Sequence, residues 1–377
     1  MLGGEKQFMV GSYDVGSMPF QGDFARFVDG SRTDSILGLL NNIGSSDNRR
    51  FFENKVINVF VDKIKVGVSI PNYPQFRDMS EMFLQSLKGI VKTGNGYRII
   101  DKISCSEKEL EIPEVGILNE RAREISERLG APFNVKICVT GPYTLASQFV
   151  DKKSQLFIQL GEMIAKIIEK NVVNGKFCSV ALVAVDEPVL GLLDDSTLDY
   201  GCSGREDLLK AWEIIFHKIK SRNIQSIIHL HNTTNDLFWQ VPSLDIIESH
   251  VEDALYSSPR IKKKLEESDK FLKASICVTD FDNLIQRIER SRGNTDEAMI
   301  NQRIAEIWTL IKTGKINPTT FLEQTEVLSN RLKKIVRRYG ERVAFAGPEC
   351  GLRSFPTYGS AIECLRRVCE AVKMGAA

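Results

Sequence analysis

Eight short apolar runs recur along the 377 residues of the chain, and they constrain its fold more than any other feature. Most are rich in Val, Ile and Phe and show little apolar–polar alternation, which is typical of parallel strands covered on both faces. Amphipathic stretches with helical spacing separate them, for example residues 155–172 and 205–221. The runs span residues 7–12, 64–70, 134–139, 179–185, 224–230, 244–249, 271–278 and 342–346.

Alternation of strand and helix along a whole chain predicts a parallel α/β fold, and eight such units fit a closed barrel better than an open sheet. We therefore predict an α/β fold of the (β/α)8 TIM-barrel class, built as a single domain over residues 1–377. We interpret residues 33–62 and 91–113 as insertions before the second and third strands. Gly94-Asn95-Gly96 predicts a hairpin turn in the second insertion, and residues 294–338 predict two helices before the last strand.

Composition narrows the classes of partner. The chain has 50 Lys and Arg against 49 Asp and Glu, a formal net charge of +1, which gives no reason to expect a nucleic acid or an anionic membrane. No apolar run approaches the ~20 residues that span a bilayer, and the first residues lack the apolar stretch of a signal peptide. The eight cysteines form no Cys-x-x-Cys pair. A cytoplasmic protein without a disulfide framework is therefore expected.

Polar and glycine-rich clusters follow the predicted strands at the point where each strand ends. Turn formation would account for any one of them. Because the carboxyl ends of barrel strands all face one mouth, where TIM-barrel enzymes place their chemistry, the set as a whole predicts an active site there. The clusters lie at residues 16–19, 71–78, 140–144, 186–188, 229–233, 248–253, 280 and 347–353.

Histidines are concentrated at two of these strand ends. His229, His231 and His250 are three of the four histidines in the chain, and Cys350 lies in the polar loop after the last strand. The His-x-His spacing puts both rings on the same face of a strand. Histidine, cysteine and carboxylate side chains from neighbouring strands could converge on one zinc ion, and a buried hydrogen-bonded histidine pair is the alternative.

The motifs at the strand ends resemble those of the cobalamin-independent methionine synthases, specifically the catalytic C-terminal barrel and its short archaeal-type relatives. Residues 347–353 and the helix after them resemble the family loop N-P-D-C-G-L-K and final helix, whose cysteine binds zinc. Asp186-Glu187-Pro188 resembles the family D-E-P, whose aspartate holds the substrate amino group. Residues 15–19, 140–144 and 77–79 are similar to the family motifs I-G-S-F-P, T-G-P-x-T and N-D-M.

The resemblance implies a zinc-dependent methyltransferase that forms methionine by transferring a methyl group to the thiol of homocysteine. Zinc is expected to lower the pKa of that thiol so that a thiolate attacks the methyl donor. The donor implied for short relatives is methylcobalamin on a corrinoid carrier protein, and a methylated folate is the other candidate. The predicted substrate-binding residues are Gly16, Ser17, Thr140, Gly141 and Asp186, and the predicted catalytic carboxylates are Asp186 and Asp280.

The zinc ligands that the resemblance implies depart from the family pattern. The family has H-x-C after the fifth strand, where this chain has His229 and His231, and a second alignment places His231 and Thr233 at these positions. The glutamate ligand after the sixth strand aligns with His250, which has a glutamate two residues to either side. The predicted metal ligands are His229, His231, His250, Glu248 and Cys350, with Glu252 as an alternative to Glu248.

Two other functions stay open. One is a different member of the wider barrel superfamily, such as a methylcobamide:thiol methyltransferase or a decarboxylase related to uroporphyrinogen metabolism. The other is a non-catalytic barrel that serves a corrinoid protein or a true synthase as partner. Residues 72–75 lack a glutamate that contacts the substrate amino group in the family, which keeps this last alternative open.

Overall fold

A parallel sheet forms the centre of the molecule. The computed structural model describes residues 10–32, 43–151, 155–192 and 194–375. The strands within these residues are β1 (Gly11–Ser12), β2 (Lys88–Thr93), β3 (Gly96–Ser104), β4 (Phe133–Thr140), β5 (Cys178–Glu187), β6 (Gln225–Leu230), β7 (Ile246–Glu248), β8 (Phe271–Cys277) and β9 (Val343–Pro348).

Seven of the described strands form this one sheet, in the order β1-β9-β8-β7-β6-β5-β4, and every neighbouring pair is parallel. The sheet curls because the segment that runs from Ile70 to Gln75 joins its two edges. Tyr13 next to β1 bridges Ile70, and Lys136 of β4 bridges Asn72. The predicted α/β fold of the TIM-barrel type is confirmed.

The prediction of a regular second strand over residues 64–70 is wrong. Its first residues belong to a helix that continues to Lys65, and Gly67 ends that helix with a positive φ of 105°. The chain then reaches the eighth barrel position as an irregular segment. Pro71 and Pro74 have no N–H to donate, so a continuous ladder cannot form, and single bonds such as Lys136 N to the Pro71 carbonyl take its place.

Helices cover the outer face of the sheet, and none of those described is long and apolar enough to cross a membrane. Short 3₁₀ turns occur at Ser196–Leu198, Leu237–Gln240, Pro318–Phe321 and Gly340–Arg342. The α-helices are α1 (Phe24–Arg32), α2 (Ile43–Lys65), α3 (Glu81–Leu84), α4 (Pro113–Glu120), α5 (Ala122–Leu129), α6 (Pro142–Ala146), α7 (Gln155–Asn171), α8 (Ser203–Lys220), α9 (Ala254–Ser257), α10 (Pro259–Glu267), α11 (Phe281–Ser291), α12 (Glu297–Lys312), α13 (Thr325–Tyr339) and α14 (Tyr358–Gly375).

The segments beyond the minimal repeat take the following forms. Residues 33–42 of the first predicted insertion lie outside the described residues, and its remainder belongs to the long helix α2. The second contains the antiparallel hairpin β2–β3, with its turn at Gly94-Asn95 as predicted. Helices α12 and α13 confirm the prediction of two helices before the last strand.

The barrel interior is filled by an apolar cluster with a polar layer at its carboxyl end. Ala184, Ile227 and Ile246 of the cluster are register partners on three adjacent strands. Two residues further along each strand, on the same face, a polar residue takes their place. The full cluster comprises Tyr13, Cys138, Leu182, Ala184, Ile227, Ile246 and Phe345.

Candidate metal centre

Strand register aligns the polar layer across four neighbouring strands. Thr140 of β4 pairs with Asp186 of β5, Asp186 with His229 of β6, and His229 with Glu248 of β7. All four side chains are buried. Because paired residues of parallel strands point to the same side, these side chains face the barrel mouth together.

Three histidines and one cysteine meet just above this layer. The candidate ligand atoms of His229, His231, His250 and Cys350 all lie within 4.8 Å of one another. The His231 Nε2 and Cys350 Sγ atoms are 3.7 Å apart, and the His231 and His250 ring centroids are 4.1 Å apart. The structure thus brings together four of the five side chains that were predicted as metal ligands.

Glu248, the fifth predicted ligand, contacts one of the histidines and lies outside the group of four. Its Oε1 atom accepts a hydrogen bond from His229 Nδ1 at 2.8 Å. Its Oε2 atom lies 2.8 Å from Lys273 Nζ and accepts the hydroxyl of Tyr13. Burial by itself raises the pKa of the Glu248 carboxyl, but Lys273 and His229 hold it well below its usual range. Glu248 is therefore an ionised anchor that leaves His229 Nε2 to face the cluster.

The three imidazoles differ in charge because their surroundings differ. Burial, and then the charges around it, lower the pKa of His231 to about 3 and that of His250 to about 4. Burial also opposes the charged form of His229, but the Glu248 carboxylate and a bond to Cys350 raise its pKa to about 10. Two of the rings are therefore neutral at pH 7, the form in which histidine binds a metal.

The donor set fits a zinc ion. Imidazole nitrogen and thiolate sulfur are the usual zinc ligands, and four of them match its tetrahedral preference. A tetrahedral zinc with bonds of about 2.0–2.3 Å holds its ligand atoms roughly 3.5 Å apart, so the widest pairs here must close by about 1 Å. The His250 Nε2 atom is buried and lacks a hydrogen-bond partner in the described part of the chain, which a metal would satisfy.

Glu349 connects the loops that carry two of these residues. Its Oε2 atom accepts the backbone N–H of Val251 at 2.9 Å, and its Oε1 atom accepts that of Thr279 at 3.0 Å. Val251 follows His250, and Glu349 precedes Cys350. The position of Cys350 relative to His250 therefore depends on a buried carboxylate between two strand ends.

The predicted substrate-binding residues of the first loop lie against the Cys350 loop. Ser17 accepts the backbone N–H of Leu352 at 2.8 Å, and a Cβ atom added to Gly351 would lie 1.9 Å from Ser17 Oγ. Gly16 has a φ of 144°, and a Cβ atom there would lie 2.2 Å from Gln75 Oε1. Glycine is therefore required at Gly351 for the Cys350 loop to approach the first loop, and at Gly16 for the first loop to approach the segment that contains Gln75.

Asp186 keeps a free oxygen in the polar layer. Its Oδ2 atom accepts the Cys138 thiol at 2.8 Å, while its Oδ1 atom is buried without a hydrogen-bond partner among the described residues. Burial raises the pKa of this carboxyl above its usual value, opposed by the charges of His229 and Lys136. An ammonium group in the mouth would satisfy the free oxygen.

Thr140 and Gly141 have internal contacts. The Thr140 hydroxyl donates to the carbonyl of Met79 at 2.7 Å. A Cβ atom on Gly141 would lie 2.3 Å from Glu187 Oε1, because the Glu187 carboxylate accepts the first N–H groups of α6 from Tyr143 at 3.0 Å and Thr144 at 2.7 Å. These contacts form the loop after β4 around Glu187.

Three other predicted residues lie away from the group of four ligands. Asp280 is exposed and caps α11 by accepting the N–H of Asn283 at 3.0 Å. Thr233, the residue of the second alignment, donates its hydroxyl to Asp253 at 2.6 Å. Glu252 is exposed and pairs with Arg287 at 3.1 Å.

Sequence reasoning missed the buried groups beneath the cluster. Tyr13 and Lys273 bind Glu248, and Lys136 lies with its Nζ atom 4.4 Å from the centroid of the Tyr13 ring. Both lysines are fully buried. A lysine inside an apolar central strand was the available signal, since a charge buried there requires a partner.

The fold and the cluster define a class: a TIM-barrel-type protein with a zinc-suited site of three imidazoles and one thiol at the mouth. No protein-family model matches the chain. It is 26% identical over 198 residues to the methionine synthase of Saccharolobus solfataricus, covering 50% of this chain and 54% of that relative. It is 20% identical over 320 residues to the methionine synthase of Sulfolobus acidocaldarius, covering 83% and 79%.

A solved structure agrees with these relatives. The B12-independent methionine synthase of Shewanella sp. W3-18-1, in complex with selenomethionine, superposes with a TM-score of 0.56 at 13% identity, covering 98% of this chain and 97% of that one. Its likeness shows the fold. The match to the Saccharolobus protein spans about half the length of that relative. Together the comparisons confirm the resemblance to the cobalamin-independent methionine synthases that the motifs predicted.

Proposed function

We propose that this protein is a zinc-dependent methyltransferase that transfers a methyl group to the thiol of homocysteine and forms methionine. The two curated relatives described above, both methionine synthases by name, indicate a methyltransferase enzyme. The observation that carries the proposal is the convergence of His229, His231, His250 and Cys350 within 4.8 Å at the barrel mouth. Zinc bound there would supply a Lewis acid that lowers the pKa of a thiol and orients the resulting thiolate.

The chain's own residues bind and orient the amino acid. Asp186, whose Oδ1 atom is buried without a hydrogen-bond partner among the described residues, is the proposed acceptor of the substrate ammonium. Ser17, which lies beside the Cys350 loop, is the proposed contact to the substrate carboxylate. Such a pair selects an amino acid over a simple thiol, because an analogue without the amine leaves a buried carboxylate unpaired. Selenomethionine bound to the Shewanella protein supports an amino acid of this size in the same fold.

Metal content is the first test of the proposal. Elemental analysis of protein purified without added zinc is expected to give about one zinc per chain, and Cys350→Ala is expected to lose most of it. Cys105→Ala removes a half-buried thiol away from the cluster and is the matched control. No zinc in any of these proteins, even after reconstitution, would overturn the mechanism and favour the non-catalytic barrel.

The methyl donor is the second test. Zinc-loaded protein is incubated with homocysteine and either methylcobalamin or a methylated folate, and methionine is measured. We expect methylcobalamin to serve, on a corrinoid carrier or free. Turnover with another thiol in place of homocysteine would instead indicate a different thiol methyltransferase.

A further inference from the structure

Lys273 of β8 lies buried beneath the metal centre. Its Nζ atom lies 2.8 Å from Glu248 Oε2 and 3.0 Å from Ser275 Oγ, and it donates to the carbonyl of Pro348. Gly347 leaves space for this side chain, because a Cβ atom there would lie 3.2 Å from Lys273 Cε. The ammonium therefore has a built site formed from three strands.

Two of these contacts lead to candidate metal ligands. Glu248 accepts a hydrogen bond from His229 Nδ1 on its other oxygen, so the cation that fixes Glu248 also fixes the direction of His229 Nε2. Pro348 ends β9 two residues before Cys350. One buried ammonium thus supports an imidazole and a thiol that come from different strands.

Lys273 also determines what Glu248 can bind. A buried carboxylate requires a cation or several donors, and carboxylate oxygen is an ordinary zinc ligand. Glu248 contacts His229 directly. If the Lys273 ammonium were removed, a metal ion bound to the imidazoles would be the nearest cation that could pair with the Glu248 carboxylate. With Lys273 in place, both carboxylate oxygens are occupied: Oε1 by His229, and Oε2 by the Lys273 ammonium and the Tyr13 hydroxyl. Without the ammonium, only the neutral hydroxyl of Tyr13 would remain on Oε2.

We propose that Lys273 is a positioning residue that keeps Glu248 out of the metal's ligand set and thereby selects three imidazoles and one thiolate. This inference rests on the metal site of the proposed function. Under this assignment Glu248 anchors His229, and the ion is held by the other four side chains, His229, His231, His250 and Cys350.

The visible spectrum of the Co²⁺-loaded protein tests this assignment, since a fifth ligand weakens the bands of a four-coordinate cobalt site. Lys273→Met keeps most of the length of the side chain and removes its charge. We expect weakened bands in that variant, as Glu248 moves to the metal. In the double variant Lys273→Met/Glu248→Gln the strong bands return, and Lys273→Arg keeps them.

Matched controls separate positioning from general damage. Lys270→Met removes another buried ammonium next to β8, which donates to the Val241 and Leu244 carbonyls at 2.7 and 2.8 Å, and is expected to leave the spectrum unchanged. If Lys273→Met does not fold, the Glu248→Gln variant by itself still tests whether Glu248 is a metal ligand. It is expected to keep the four-coordinate spectrum while binding Co²⁺ about 10- to 100-fold more weakly.

The failures are distinguishable. Wild-type bands in folded Lys273→Met, or a change of coordination in Glu248→Gln, would overturn the positioning role and leave the metal site standing. A wild-type protein that takes up neither cobalt nor zinc would overturn this inference and the proposed function together.

Discussion

Glu248 and His250 have different roles at the metal centre because they lie at different depths in the barrel: Glu248 anchors His229, and His250 is a candidate ligand. The two residues are two positions apart, but Glu248 is the last residue of β7 and fully buried, whereas His250 lies beyond the strand and is half-buried. At the lower level Tyr13 and Lys273 are available as partners, and at the upper level the other histidines and Cys350 are. The Glu248 carboxylate, at the lower level, is therefore held by Lys273 and His229 and is not left to bind the metal.

The charge of His229 predicts how metal binding depends on pH. Because its pKa is raised to about 10, His229 carries a proton at pH 7 that a metal on Nε2 must displace, while His231 and His250, lowered to about 3 and 4, do not compete. Binding near neutrality is expected to release at least one proton and to strengthen as pH rises toward 10. Titration calorimetry in two buffers of different ionisation enthalpy measures this release, and buffer-independent heats would contradict it.

The two predicted catalytic carboxylates are expected to differ in function. Asp186→Asn removes the carboxylate charge that would pair with the substrate ammonium. We expect it to weaken the binding of homocysteine by roughly 1.5–3 kcal/mol, which would be seen as a 10- to 100-fold higher KM. Asp280→Asn changes an exposed helix cap and is expected to leave KM unaltered. Zinc content should remain normal in both variants, and equal KM values would exclude a role for Asp186 in binding the amino group.

At the scale of elements, the loop after β4 depends on a buried carboxylate from the neighbouring strand β5. Glu187, the last residue of β5, accepts N–H groups at the start of α6 and the indole N–H of Trp212 at 2.9 Å. Burial raises the pKa of this carboxyl to about 7, against the effect of those donors. The Thr-Gly-Pro motif is thus a helix start whose first donors are satisfied from outside the helix.

Gly141 is the sensitive point of this element. Gly141→Ala would place a Cβ atom 2.3 Å from Glu187 Oε1, so the carboxylate must move away from the helix N–H groups. We expect a loss of about 1–3 kcal/mol in the free energy of unfolding, measured by urea denaturation. Gly94→Ala, in the β2–β3 turn with no atom within 4 Å of the added Cβ, is the control. Equal free energies of unfolding for the two variants would show that the Glu187 carboxylate can move away from Gly141 without loss of stability.

For the whole molecule, the metal centre joins strands that are distant in sequence. Its ligands lie at or just after the ends of β6, β7 and β9, with β8 between the last two, so a bound ion would link one side of the barrel across these strands. An ion that binds only the folded chain stabilises it by linkage, by about 2.7 kcal/mol at a hundred times the Kd.

Thermal denaturation measures this linkage. Zinc is expected to raise the Tm of the wild-type protein by several degrees, a chelator is expected to lower it again, and Cys350→Ala is expected to respond to neither. The Cys105→Ala control should behave as wild type. An equal zinc response in Cys350→Ala would place the bound ion elsewhere.

Most of the barrel could be predicted from local pattern. The apolar runs that became β4 to β9 are buried on both faces, so each is recognisable without knowledge of its neighbours. The segment from Ile70 to Gln75 could not be recognised in this way. The apolar run that precedes it, residues 64–70, looks like a strand, and only the bridges of Ile70 to Tyr13 and of Asn72 to Lys136 define the segment's place in the barrel.

The residue types of the metal centre are a property of the sequence, because histidines and a cysteine directly after strands face the mouth of any parallel barrel. Which of them meet was decided by tertiary structure. The register that sets His229 beside Glu248, and the buried lysine that occupies Glu248, depend on contacts between residues 19 and 25 positions apart. Local spacing carries no information on such contacts, since they form only when the strands close into a barrel.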